Sequence, residues 1–157
     1  MLNFRESESD RKNEYQVFNQ LLDTKMNAFH KQIEMQIKAE VLWLKEKAEI
    51  IINDHRILEY QIRQCKSMSE WGVLEVKLRE NKHSFSIDWF HNQFLKINGQ
   101  WRKFSKPLRI NRTTLSYSFK QAKKAKSWEL EHAMFIEPKF TMIRKNMQKL
   151  IVLKRYV

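Results

Sequence analysis

The sequence predicts an α+β fold: a long N-terminal helical arm, a three-stranded antiparallel sheet and a C-terminal helix. Three observations carry this. Only two Gly and two Pro occur in 157 residues, fewer than strand-rich folds need at their turns. From Asp10 to Met68 there is neither, and apolar positions recur there at steps of three and four. Near the middle, Asn98-Gly99 lies between two stretches that alternate with period two, which reads as an antiparallel hairpin.

The helical stripe runs through Tyr15, Phe18, Leu22, Met26, Phe29, Ile33, Ile37, Val41, Leu44, Ala48, Ile51, His55, Leu58 and Ile62, with Glu and Lys on the other faces. Such spacing lines one side of an α-helix. A stripe this long must be covered, either by the same stripe of a second copy, as in a coiled coil, or by a fold-back helical hairpin. The expected break for a fold-back is Asn53-Asp54, after three β-branched residues, Ile50 to Ile52. Leu42, Trp43, Ile50 and Ile52 widen the stripe and imply more than one packing neighbour.

Trp71-Gly72 ends the helical stretch. Strands are expected over about 73–80, 84–96 and 100–107, with Pro107 closing the third. Residues 108–116 read as a basic loop. Tyr117 to Tyr156 reads as helix again, with a kink or a junction of two helices at Pro138. The chain divides into an N-terminal helical, dimerising region (1–68) and a basic sheet-and-helix module (69–157). The N-terminal MLNFRESESDRKNEY has no apolar core, so no signal peptide is expected. No apolar run approaches the ~18 residues of a membrane span. One cysteine, Cys65, excludes an intrachain disulfide or an all-Cys metal site. A soluble, cytoplasmic protein is expected.

The net charge of +12 is localised. Residues 1–81 hold 13 Lys+Arg against 14 Asp+Glu; residues 82–126 hold 11 basic residues against Asp88 alone; residues 127–157 hold 6 against 3. A concentrated basic field implies a polyanionic partner, nucleic acid first and acidic lipid second. The plain alternative is a solvated surface that aids solubility, but solubility does not require a neutral first half.

Catalysis has little support. His83, Asp88 and His91 are near in sequence, but on a strand Asp88 and His91 have opposite parity and face opposite ways. Glu129, Glu131, His132 and Glu137 read as a solvated face offsetting Lys123, Lys124 and Lys126. Cys65 reads as a small apolar filler. Two isolated glycines cannot form a phosphate loop. No catalytic residue, metal ligand or cofactor is expected. The nucleic-acid candidates are Lys96, Arg102, Lys103, Lys106, Arg109, Arg112, Lys120, Lys123 and Lys124, contacting phosphates, with Arg102 or Arg109 as a base reader. Lys120 and Lys124 are expected on one face of the opening turns of the last helix. Trp89, Phe90, Phe94 and Trp101 read first as core, with one or two left exposed as stacking surfaces.

The run Ser86-Ile87-Asp88-Trp89-Phe90, Gly99 in a basic turn, Trp101-Arg102-Lys103-Phe104-Ser105-Lys106, Tyr117, Ala125-Lys126-Ser127-Trp128-Glu129-Leu130 and Ile143-Arg144-Lys145 resembles the MobI proteins of conjugative plasmids and integrative conjugative elements. The resemblance covers about residues 73–150, and Glu137-Pro138-Lys139 departs from it where uninterrupted helix is expected. It implies a non-enzymatic accessory factor of the relaxosome that acts at the origin of transfer, beside the relaxase. The resulting expectation is a homodimeric protein that binds double-stranded DNA at the origin of transfer, with no membrane partner. Its rivals are an RNA-binding or ribosome-associated protein using the same face, and a small nuclease.

Overall fold

A computed structural model describes residues 8–157, with side chains from residue 11 onward. Helix α1 spans Glu8–Cys65. A single 3-10 turn, Met68–Glu70, leads into three strands: β1 (Leu74–Asn81), β2 (Ser84–Ile97) and β3 (Gln100–Pro107). Two short strands follow, β4 (Ile110–Asn111) and β5 (Ser116–Tyr117), then a second 3-10 turn, Phe119–Gln121. Helix α2 (Ser127–Lys154) closes the fold.

The three long strands pair antiparallel in the order β1-β2-β3. In β2, Phe85, Ile87 and Trp89 point to the helices and are buried. Leu74 and Val76 of β1 share that face. Helix α1 contributes Leu44, Ala48 and Ile52 to the same core, and α2 contributes Ala133, Ile136, Phe140, Ile143 and Met147. Trp89 is fully buried and meets His55, Phe119 and Phe140 edge-on. Fully burying one large apolar side chain contributes about 1.5–3 kcal/mol, so this layer dominates the stability.

Three expectations are corrected. Helix α1 runs unbroken through Asn53-Asp54. The β-branched run costs only a few tenths of a kcal/mol per residue in helix propensity, and burial of Ile52 and His55 against the sheet and α2 outweighs it. There is thus no fold-back. Second, residues 117–126 are not helical: Ala122 and Ala125 close 3-10-type turns onto Phe119 and Ala122. Helix α2 starts only at Ser127, where the Glu129 carboxylate accepts from the Lys126 backbone N–H at 3.2 Å and satisfies an orphan donor. Third, residues 108–116 contain the β4-β5 hairpin. Asn111 Oδ1 accepts from the Thr113 and Thr114 backbone N–H groups, a side-chain turn that sequence shows only as an Asn among Thr residues. Pro138 lies inside one continuous α2, not between two helices.

The charged residues of α2 give a fourth correction. Glu129 is 0% exposed and Glu137 5% exposed, so neither is a solvated face. Glu129 also accepts from the Leu74 backbone N–H, tying α2 to the start of β1. Burial pushes its carboxyl pKa up, and these backbone donors oppose the rise. A Cβ at Gly72 would stand 2.6 Å from Glu129 Oε1, so any side chain here must displace the carboxylate that holds the Leu74 N–H.

Candidate nucleic-acid interface

The arm and the basic hairpin leave the body at opposite ends. Lys45 pairs with Glu80 at 2.5 Å, and the Arg63 guanidinium sits over the Trp71 ring at 5.4 Å. The sheet therefore runs alongside residues 45–63 of α1, with the β1-β2 turn nearer the arm. β1 covers β2 only as far as His91, opposite Leu74. Beyond that point β2 and β3 continue as a two-stranded ribbon, paired from Asn92 with Ser105 to Ile97 with Gln100. Its turn has positive φ at both central positions, Asn98 at 51° and Gly99 at 78°, as the Asn-Gly pair requires.

Every residue of β3 is exposed. Phe94, Leu95, Trp101 and Phe104 are all exposed on the ribbon, whereas Trp89 and Phe90 are buried. Sequence alone could not separate the buried aromatics from the exposed ones, because both kinds stand in alternating strands. What divides them is where β1 ends.

Pairing parity sorts the candidate cations. Lys96, Trp101 and Lys103 share the outer face with Phe94, while Arg102, Phe104 and Lys106 share the face continuous with the core. Lys103 Nζ reaches Glu75 Oε2 at 2.6 Å, and Glu75 also accepts from Asn92 Nδ2 at 2.9 Å. Asn92, 3% exposed, is further held by Ser105 Oγ at 2.6 Å. This outer-face cluster fixes the ribbon to its base. Burial first, then the charges of Lys124 and Lys106, push the His91 pKa down. Arg109 and Arg112 lie elsewhere, with Arg79, around a cleft of about 460 Å³ on the outer face of the sheet. Lys120 and Lys123 are exposed in the segment before α2. All nine predicted cations are exposed, and the four on β2 and β3 divide between the two faces of the sheet. Lys120 and Lys124 do not share a helix face, since the 3-10 turn Phe119–Gln121 holds Lys120 alone and α2 starts only at Ser127.

Several residues of the motifs named above serve the fold. Trp89 Nε1 donates to Glu137 Oε2 at 2.8 Å. Arg144 binds both Glu137 oxygens, at 2.6 and 3.3 Å, and donates to the Ile87 and Leu115 carbonyls. Its guanidinium lies 4.8 Å from the Tyr117 ring centroid. Tyr117 donates from its backbone N–H to Glu137 and from its hydroxyl to Asp88; burial and the Asp88 charge push the phenol pKa up. Trp128 Nε1 donates to the Glu70 carbonyl at 3.1 Å. Arg79 of the cleft was not among the predicted cations, because it stands in the charge-neutral half of the sequence.

Among the described residues no group of three His, Cys, Asp or Glu could hold a metal ion, and no helix is long and apolar enough to cross a membrane. No curated protein and no solved structure matches the chain. A family model described as MobI protein matches residues 44–157. That span takes in the core-facing half of α1, the sheet with its ribbon, and α2, and on it the chain belongs to the MobI family.

Proposed function

We propose that this protein is a DNA-binding auxiliary component of the relaxosome that acts on duplex DNA at the origin of transfer. Membership of the MobI family makes it a conjugative mobilisation protein; the finer reading rests on the ribbon. The observation that carries it is a two-stranded β-ribbon, free of the core, with Lys96, Arg102 and Lys103 exposed along it and Lys106 exposed at its base. A major groove admits an element of that width. Arg102 and Lys106 share one side and, with Lys124, supply the leading phosphate or base contacts. Arg109, Arg112, Lys120 and Lys123 add flanking phosphate contacts. Lys103 contributes less, because Glu75 already engages it. In this reading residues 1–68 serve association as a homodimer and residues 69–157 bind DNA; the relaxase is the natural neighbour at the site.

Exposed Phe94, Trp101 and Phe104 favour a second reading, single-stranded nucleic acid or RNA held by stacking. Affinities for origin duplex, random duplex and structured RNA, measured side by side, separate the two. Origin duplex bound at least tenfold more tightly supports the first reading; preference for RNA or single strands supports the second. Nicking of supercoiled plasmid in Mg²⁺ by the protein alone would replace both with a nuclease.

A further inference from the structure

The apolar stripe of α1 is one continuous line with two different fates. Ile37, Leu44, Ala48, Ile52 and His55 are buried against the sheet and α2. The same line continues through Tyr15, Phe18, Leu22, Met26 and Phe29, all between 46% and 70% exposed. The recurrence is 11 residues: Tyr15, Met26 and Ile37; Phe18 and Phe29; Leu22 and Ile33. Three turns in 11 residues is close to the 3.6 residues per turn of a straight helix, so the stripe hardly winds about α1. The bare half therefore faces the same side as the half that packs on the chain's own body.

That phase constrains what covers the bare half. A second α1 lying parallel along it would run on into the first chain's sheet and α2, which occupy that side from Ile37 onward. An antiparallel α1 ends there instead. The bare stripe from Tyr15 to Ile33 has its midpoint at residue 24, so antiparallel pairing sets residue i opposite about 48 − i, and the stripe of each copy ends where the packed body of the other begins. A groove of about 500 Å³ opens at that level, floored by Ile37, Val41 and Phe85. Lys38, Lys82 and Lys154 stand on its rim, and the charge of Lys154, then burial, Lys82 and Lys38, pushes the His83 pKa down. Against these stand Glu34, and Glu80, which Lys45 holds.

Resting on the homodimer reading, we infer that two copies pair antiparallel through Tyr15–Ile33, where the steric room left by each chain's own body admits only that direction. The two ribbons then point away from each other at opposite ends of the pair. Such a dimer presents its ribbons to two separated DNA segments, not to adjoining half-sites.

The test uses the full chain with Cys65→Ser and one spin-labelled cysteine at a time. Light scattering first gives the mass; a monomer at micromolar concentration removes the homodimer reading itself. For a dimer, labels at Lys25→Cys, close to the midpoint, are expected within about 20 Å of each other. Labels at Glu14→Cys are expected roughly 30 Å apart along the axis, from 20 residues at ~1.5 Å each. Equally short distances at both positions mean a parallel dimer and overturn this inference while leaving the homodimer intact.

Discussion

Trp89 and Glu137 meet in the core: the indole N–H donates to the carboxylate at 2.8 Å, from a side chain that is 0% exposed. The same carboxylate holds Arg144 and the Tyr117 backbone. One buried acid thus fastens the central strand, β5 and α2 together. The motif residues Trp89, Tyr117 and Arg144 converge on it, Asp88 joins through the Tyr117 hydroxyl, and none of them lies on the ribbon.

Glu137→Ala should therefore unfold the protein more readily without touching the ribbon. Removing one partner of a buried ion pair typically costs about 3–5 kcal/mol, because the other charge is left uncompensated. Arg144 would lose its two carboxylate contacts in this way. Urea denaturation monitored by Trp fluorescence checks this; a loss under about 1 kcal/mol would mean that Arg144 finds another partner.

Two glycines should behave oppositely. At Gly72 an added methyl meets the Glu129 carboxylate at 2.6 Å, and overpacking of this kind costs about 1–3 kcal/mol. Gly72→Ala should lower Tm and spare DNA affinity at temperatures where the protein stays folded. Gly99 has φ +78°, and a Cβ added there would meet nothing within 4 Å. Gly99→Val should distort the ribbon tip, with a strain of about 1–2 kcal/mol, and reduce DNA affinity more than Tm. Paired melting and binding curves for both variants decide this.

The His55 and His132 rings stack, with their Nδ1 atoms 2.8 Å apart. Burial, and then the His132 charge, lower the His55 pKa from 6.5 to about 4; burial lowers His132 in the same direction. A depressed folded pKa means the unfolded chain takes up the proton first. The stability from this pair is thus fully present above about pH 6.5 and is lost as pH falls towards 4. For His55 the loss is on the order of 3 kcal/mol. Melting curves from pH 7.5 to 4 should fall steeply for the parent and less steeply for His55→Asn. Equal slopes would place the acid sensitivity elsewhere.

Salt should govern binding. If about six cations meet phosphates, log K should fall against log salt with a slope near −5, from ~0.9 per phosphate neutralised. A slope flatter than about −2 would mean that the basic surface is not the contact.

Much of the fold was legible because its signals are local. The scarcity of Gly and Pro, the three-four stripe and Asn98-Gly99 each act within a few residues, and α1, the three strands and the turn followed from them. What was misread depends on contacts distant in sequence. Lys120 to Lys126 look helical by composition, but Glu129 reaching back to Lys126 and across to Leu74 fixes where α2 starts. Asn53-Asp54 looks like a break, yet Ile52 and His55 are held by partners beyond residue 70. Glu129 and Glu137 look like surface acids, since nothing local announces that they bind backbone and Arg144. For the candidate interface, sequence located the exposed cations but not their sides, because parity across Asn98-Gly99 becomes visible only once the register is known.

The ribbon as reading head stands or falls on one comparison of affinities. Arg102→Ala with Lys106→Ala removes two cations from one side of the ribbon and its base, where neither makes an ion pair among the described residues. Fluorescence anisotropy with origin-of-transfer duplex at fixed salt should show binding at least about tenfold weaker, with Tm within a few degrees of the parent. If the variant keeps its Tm and binds the duplex as tightly as the parent, the ribbon does not contact DNA.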